Sequence, residues 1–140
     1  GTADIEATPT GPRSPHPEPA SSDYIVLGAF DSSERVMGFA AYGFTPCTTG
    51  TFDLYWIATD PTVHNAGVGT TLLNEVERRL EGHFARMLVV ETSSRSDYAP
   101  TRGFYGRRGY TETARVREFY APGDDRIIFT KRFHRGAKSP

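Results

Sequence analysis

Residues 51 to 82, TFDLYWIATDPTVHNAGVGTTLLNEVERRLEG, constrain the fold of this chain more than any other stretch. Thr51 to Thr59 carry Phe52, Leu54, Tyr55, Trp56 and Ile57, residues that favour a half-buried pleated strand. Asp60-Pro61 ends that strand, because proline has no amide hydrogen to give to a ladder. After Gly69, the apolar residues Leu72, Leu73, Val76 and Leu80 fall on one helical face, with Glu75, Glu77, Arg78 and Arg79 largely off it. Gly67 and Gly69 leave the backbone amides at the start of this helix open to close approach. Free amides and the positive end of the helix dipole together attract phosphate. The stretch predicts a strand, a turn and a helix, with a site for a phosphate-bearing ligand where the helix begins. The bland alternative is a glycine-containing strand-to-helix turn that holds no ligand.

Two phosphate-binding patterns are excluded. A P-loop needs Lys and Ser/Thr after its last glycine, whereas Thr70-Thr71 follow Gly69. A dinucleotide fingerprint needs a third glycine at position 72, which is Leu72. Composition removes further classes. The 140 residues suffice for one domain, and a formal net charge of -1 argues for neither a nucleic-acid partner nor an anionic membrane surface. No apolar run is long enough to span a bilayer. A single cysteine, Cys47, excludes an internal disulfide and fits a reducing, cytoplasmic compartment. His16, His64, His83 and His134 have no metal-ligand spacing, so no metal site is expected. No G-x-S-x-G step offers a serine nucleophile.

The remaining chain reads as elements around the central stretch. Residues 1–22 hold five of the ten prolines (Pro9, Pro12, Pro15, Pro17, Pro19) and no aromatic residue, which predicts a flexible arm. The folded domain is expected over 23–134, with a frayed end at 135–140. Tyr24 to Phe30 and Arg35 to Phe44 form a hairpin through the polar turn Asp31 to Glu34, and the loop Thr45 to Gly50 leads into the central strand. Ala85 to Thr92 closes a right-handed βαβ crossover. Asp97 and Pro100 open a short second helix that ends near Arg108-Gly109. Tyr110 to Phe119 and Arg126 to Phe133 are strands on either side of a turn-rich loop, Tyr120 to Asp125. The expected class is α/β (α+β): a mixed, mostly antiparallel sheet with a central βαβ unit and flanking helices.

The motif H-N-A-G-V-G at 64 to 69 resembles the acyl-CoA loop Q/R-x-x-G-x-G/A of the GNAT superfamily of N-acyltransferases, with His64 in place of Gln/Arg. F-Y-G-R-R-G-Y at 104 to 110 resembles the second GNAT signature, F-Y-x-x-x-G-F/Y, and stands at the expected distance. With VVETSS and FYAPGDD, the likeness extends over about residues 23 to 133 and resembles a group of small bacterial-type members. It implies acetyl-CoA as co-substrate and a primary amine as acceptor: a small amine, an amino acid or a peptide. The amine attacks directly in a ternary complex. The family usually opens with a strand and two helices that wall the acceptor site, whereas only 22 Pro-rich residues precede Asp23. A member lacking that wall would expose apolar surface for a homodimer to cover. The rival reading is a non-catalytic acyl-CoA-binding or interaction module, or a truncated fragment of the fold.

Residue roles follow from the same resemblance. Tyr105 matches the general acid that protonates the leaving thiolate. Asp53 matches the glutamate of histone-modifying members, fourteen residues before Gly67, and Glu91 matches the base of ribosomal-protein-acetylating members. The two carboxylates stand as equal candidates, with a water relay as a further route. Ile57, Ala58 and Thr59 are expected to hold the pantetheine arm. His64, Asn65, Ala66, Gly67, Val68, Gly69 and Thr70 are expected at the pyrophosphate. Asp124 and Asp125 fall on a loop that borders the acceptor site in the family, and read otherwise as a solvated turn.

Overall fold

The computed structural model describes residues 4–8, 24–63 and 67–134. Nine regular elements follow in chain order: β1 (Asp4–Thr8), β2 (Tyr24–Phe30), β3 (Val36–Phe44), β4 (Thr51–Thr59), α1 (Val68–Gly82), β5 (Met87–Ser93), α2 (Ala99–Arg107), β6 (Thr111–Ala121) and β7 (Asp124–Arg132). The strands form one sheet in the order β1-β2-β3-β4-β5-β7-β6. Only β4 and β5 are parallel; every other neighbouring pair is antiparallel. The mixed sheet with its βαβ crossover is the architecture that the alternation of elements implies.

Two expectations need correction. Residues 4–8 are not part of an unstructured arm: they pair with β2 from Asp4↔Phe30 to Thr8↔Val26. The five-residue segment DIEAT precedes every proline of the arm, so its amides are free to join an edge ladder. Residues 9–23 and 135–140 lie outside the described residues. The second correction concerns Tyr120 to Asp125, which is a tight hairpin and not a loop. Only Pro122 and Gly123 separate β6 from β7. The register moves from Val116↔Arg126 to Ala121↔Asp124, five steps on β6 against two on β7, so β6 carries three extra residues there. A bulge of that size bends the strand and hides it from an alternation reading.

The core lies between the sheet and the two helices. On α1, Val68, Leu72, Leu73, Val76 and Leu80 are buried, the stripe expected of an amphipathic helix. They join Leu27, Ala29, Ala40, Tyr42, Leu54, Leu88, Val90, Ile127 and Phe129 from the strands. Burial of each large aliphatic side chain contributes about 1.5–3 kcal/mol. Gly38 on β3 allows α1 to sit close, because a Cβ there would fall 2.7 Å from the Ala58 carbonyl oxygen and 3.0 Å from Val68 Cγ1.

A bulge and a parting shape the centre of the sheet. Ala41 pairs with Trp56 and Tyr42 with Leu54, leaving Tyr55 as an extra residue in β4. On its other side β4 pairs with β5 only from Thr51↔Met87 to Leu54↔Val90. Beyond that point the two strands run on without pairing, β4 to Thr59 and β5 to Ser93.

Candidate active site

The parting of β4 and β5 is framed by both helices. α1 is preceded by Gly67 at φ 76°, a left-handed conformation that glycine adopts without strain. No side chain caps this helix and no acidic residue occupies its first turn. The amides of the first turn have no intrahelical acceptors. A Cβ at Gly69 would stand 3.5 Å from Phe104 Cζ and 4.0 Å from Thr59 Cγ2, so β4, α1 and α2 converge on a point kept open by a missing side chain. Of the loop expected to contact pyrophosphate, Gly67, Val68, Gly69 and Thr70 are placed here, whereas His64, Asn65 and Ala66 lie outside the described residues. Val68 is buried in the core, so only its backbone is available to a ligand.

Ile57, Ala58 and Thr59 form the open edge of β4 along the parting. On the β3 side they pair with Ala40, Phe39 and Gly38, while on the β5 side no described strand takes their register. An extended chain bearing amides fits such an edge by the hydrogen bonding that adds a strand to a sheet.

Tyr105 rises from α2 into the core. It is 4% exposed, and its ring packs against Tyr110 at 5.6 Å and Phe129 at 6.2 Å between centroids. Among the described residues nothing hydrogen-bonds its hydroxyl. Desolvation pushes the phenol up to about 12. Full protonation of a thiolate whose acid form lies near 8.5 would then run uphill by about three to four powers of ten. The phenol stays protonated at neutral pH and is suited to donate a hydrogen bond to a departing sulfur.

The two carboxylates occupy the opposite face. Leu54 and Val90 point into the helix-covered core, so Asp53 and Glu91 point the other way. Asp53 lies within the paired part of β4, opposite Val89, and its Oδ2 accepts a 2.7 Å hydrogen bond from Thr45 Oγ1. Glu91 lies one residue beyond the last β4–β5 pair and borders the parting. Its Oε1 accepts from Arg126 Nη2 at 2.6 Å and its Oε2 from the Tyr120 hydroxyl at 2.8 Å. The same face carries the edge-to-face pair Phe39–Trp56, centroids 4.8 Å apart. Asp124 and Asp125 are tied into structure: Asp124 accepts from Ser93 Oγ, and Asp125 accepts from the Glu118 amide and Arg115 at 2.8 Å each. Among the described residues no group of three His, Cys, Asp or Glu side chains could hold a metal ion, and no helix is long and apolar enough to cross a membrane.

Arg108, Phe104, Tyr120 and Arg126 escaped the sequence reading as site residues. Arg108 Nη2 donates to Thr70 Oγ1 in the first turn of α1, and its guanidinium lies 4.1 Å over the Phe104 ring. Two consecutive arginines inside FYGRRGY were the available signal. Tyr120 reaches Glu91 through the β6 bulge, which no periodicity announces.

A seven-stranded mixed sheet parted between its two parallel strands, with a glycine-opened helix at the parting, defines an acyltransferase class of fold. The chain belongs to the GNAT acetyltransferase family: the family described as acetyltransferase (GNAT) domain matches residues 22–112. A GNAT-family crystal structure from Desulfovibrio desulfuricans is 41% identical with a TM-score of 0.77, covering 81% of this chain and 71% of that one. The fold is shared with the ribosomal-protein-S18-alanine N-acetyltransferase of Escherichia coli (20% identity, TM-score 0.73, 86% and 76% covered). It is shared also with a GNAT family acetyltransferase of Elizabethkingia anophelis solved with acetyl-CoA bound (19%, TM-score 0.72, 92% and 98% covered). Among curated proteins, none matches the sequence.

Proposed function

We propose that this protein transfers an acetyl group from acetyl-CoA to a primary amine, carried by a small molecule, an amino acid or a peptide terminus. The parting of β4 and β5 beyond Leu54 and Val90 carries the reading, because it joins three fitted surfaces. The first turn of α1, free of acidic side chains, suits a pyrophosphate. The open edge of Ile57, Ala58 and Thr59 suits the amides of a pantetheine arm. Tyr105 then stands on the helix side of a thioester lodged in the gap, and Glu91 on the other side. A relative solved with acetyl-CoA bound supports the same ligand.

Bound acetyl-CoA supplies an activated acyl group. Glu91, directly or through one water, takes the proton of the ammonium, so that the neutral nitrogen can attack the carbonyl carbon. The C–N bond forms, the C–S bond breaks, the electron pair leaves on sulfur, and the nitrogen gives up its second proton to water. The Tyr105 hydroxyl donates a hydrogen bond to that sulfur, which finally takes a proton from solvent. Asp53 braces the 45–50 loop through Thr45 and lies below the gap, so Glu91 is the base of this scheme. Arg126 and Tyr120 hold the Glu91 carboxylate in place.

The test is thermal stabilisation by ligand. Acetyl-CoA at a hundred times its dissociation constant adds about 2.7 kcal/mol to stability, and ATP and NAD should add far less. Equal stabilisation by all three would reduce the site to generic phosphate binding.

A further inference from the structure

We infer that Arg108 is a phosphate contact of the acyl-CoA site, an inference that rests on the acyl-CoA reading and adds to it the cation that balances the ligand's charge. The electrostatics of the α1 start carry it. The first turn of a helix is the positive end of its dipole, where anions are favoured and cations disfavoured. Arg108 Nη2 is nonetheless fixed on Thr70 Oγ1 in that turn, with Nη1 on the Phe104 carbonyl at 3.3 Å and the guanidinium stacked on the Phe104 ring. No acidic group among the described residues pairs with it. Glu77, linked to the Arg108 backbone through Lys131, gives one oxygen to Tyr110 and the other to Lys131, whose Nζ also donates to the Arg108 carbonyl.

The Nε of Arg108 is buried and has no hydrogen-bond partner among the described residues. Buried donors are nearly always satisfied, so an orphan beside an uncompensated positive pole marks a place where an anion completes the structure. The cation is offset only by the C-terminal carbonyls of α2, which Arg108 caps, and the start of α1 has no such offset. A phosphate of CoA satisfies both, since planar guanidinium donors match phosphate oxygens. The stack on Phe104 and the bond to Thr70 hold the group ready, so little side-chain freedom is lost on binding.

The experiment measures acetyl-CoA binding by calorimetry for the parent protein, Arg108→Gln, Arg108→Met and Arg108→Lys. It is run at ionic strengths of about 0.01 M and about 0.15 M, where screening lengths are about 30 Å and 8 Å. The glutamine and methionine variants should bind about tenfold or more weakly at low salt, the size expected for a lost charge-assisted contact. Lysine should recover most of that loss, and the gap should narrow at the higher salt. Methionine keeps much of the volume over Phe104, so loss of packing alone would spare it. Parent-like affinity in the glutamine and methionine variants, or equal losses in all three without salt dependence, would overturn the inference. A parent protein that does not bind acetyl-CoA would instead overturn the acyl-CoA reading itself.

Discussion

Tyr105 and Glu91 lie on opposite faces of one sheet, beside the place where β4 and β5 cease to pair. Tyr105 is packed against Phe129, the register partner of Val90, and Glu91 is the next residue along β5, pointing away. A thioester threaded through the gap would meet a phenol on one side and a carboxylate on the other. Attack and departure are then served from separate directions by groups that cannot neutralise each other.

Removing the phenol should separate chemistry from binding. Tyr105→Phe should lower kcat by about 10²- to 10³-fold, the range for one lost transition-state donor. Acetyl-CoA affinity should stay unchanged. Because nothing among the described residues bonds the hydroxyl, stability should move by no more than about 0.5 kcal/mol. Steady-state kinetics, calorimetry and a melting curve on one preparation check all three.

The raised phenol also sets a pH window. Its folded value of about 12 exceeds the ordinary 10, so the stability contributed by the neutral form is fully present below pH 10 and is lost as pH rises towards 12. The parent protein should lose stability across that interval and Tyr105→Phe should lose less. Melting temperatures from pH 9 upward, compared between the two, test the sign. Identical profiles would show that Tyr105 titrates normally.

Glu91→Gln and Asp53→Asn should behave differently. The first should abolish the acidic limb of the kcat/KM profile, while the second should keep turnover and lose about 1 kcal/mol of stability with the Thr45 bond. Loss of that limb in Asp53→Asn alone would exchange the two roles.

Two glycines test the frame of the cradle. Gly38→Ala should destabilise the domain by about 1–3 kcal/mol, since its Cβ would meet the Ala58 carbonyl oxygen at 2.7 Å. Gly69→Ala should fold normally, its Cβ reaching Phe104 at 3.5 Å, whereas Gly69→Val should weaken acetyl-CoA binding more than it lowers the melting temperature. Denaturation and binding curves for these variants provide the comparison.

Much of this arrangement was legible in the chain. The stretch 51–82 announced β4 and α1 because a change from strand pattern to helical stripe survives in sequence, and its glycines marked the uncapped start of α1. FYGRRGY placed Tyr105 because a motif fixes a residue even when its surroundings are unknown. What stayed hidden depends on partners distant in sequence. Asp53 and Glu91 look equivalent until the register shows one within the paired strands and the other beyond them. Arg108 reads as a surface arginine until Thr70, 38 residues away, is seen to accept from it. DIEAT becomes a strand only because β2 offers an edge, and Tyr120 reaches Glu91 only because β6 bulges. Periodicity records burial along one element and carries no information about which edge or side chain lies opposite.

The most direct measurement is amine-dependent release of free thiol from acetyl-CoA, followed with a panel of small amines, amino acids and peptides, with mass spectrometry of the acceptor. The expected result is turnover with at least one primary amine, an acceptor heavier by one acetyl group, and near-complete loss in Tyr105→Phe and Glu91→Gln. A protein that binds acetyl-CoA yet releases no thiol with any amine would contradict it, and would make the chain an acyl-CoA-binding module built on an acetyltransferase fold.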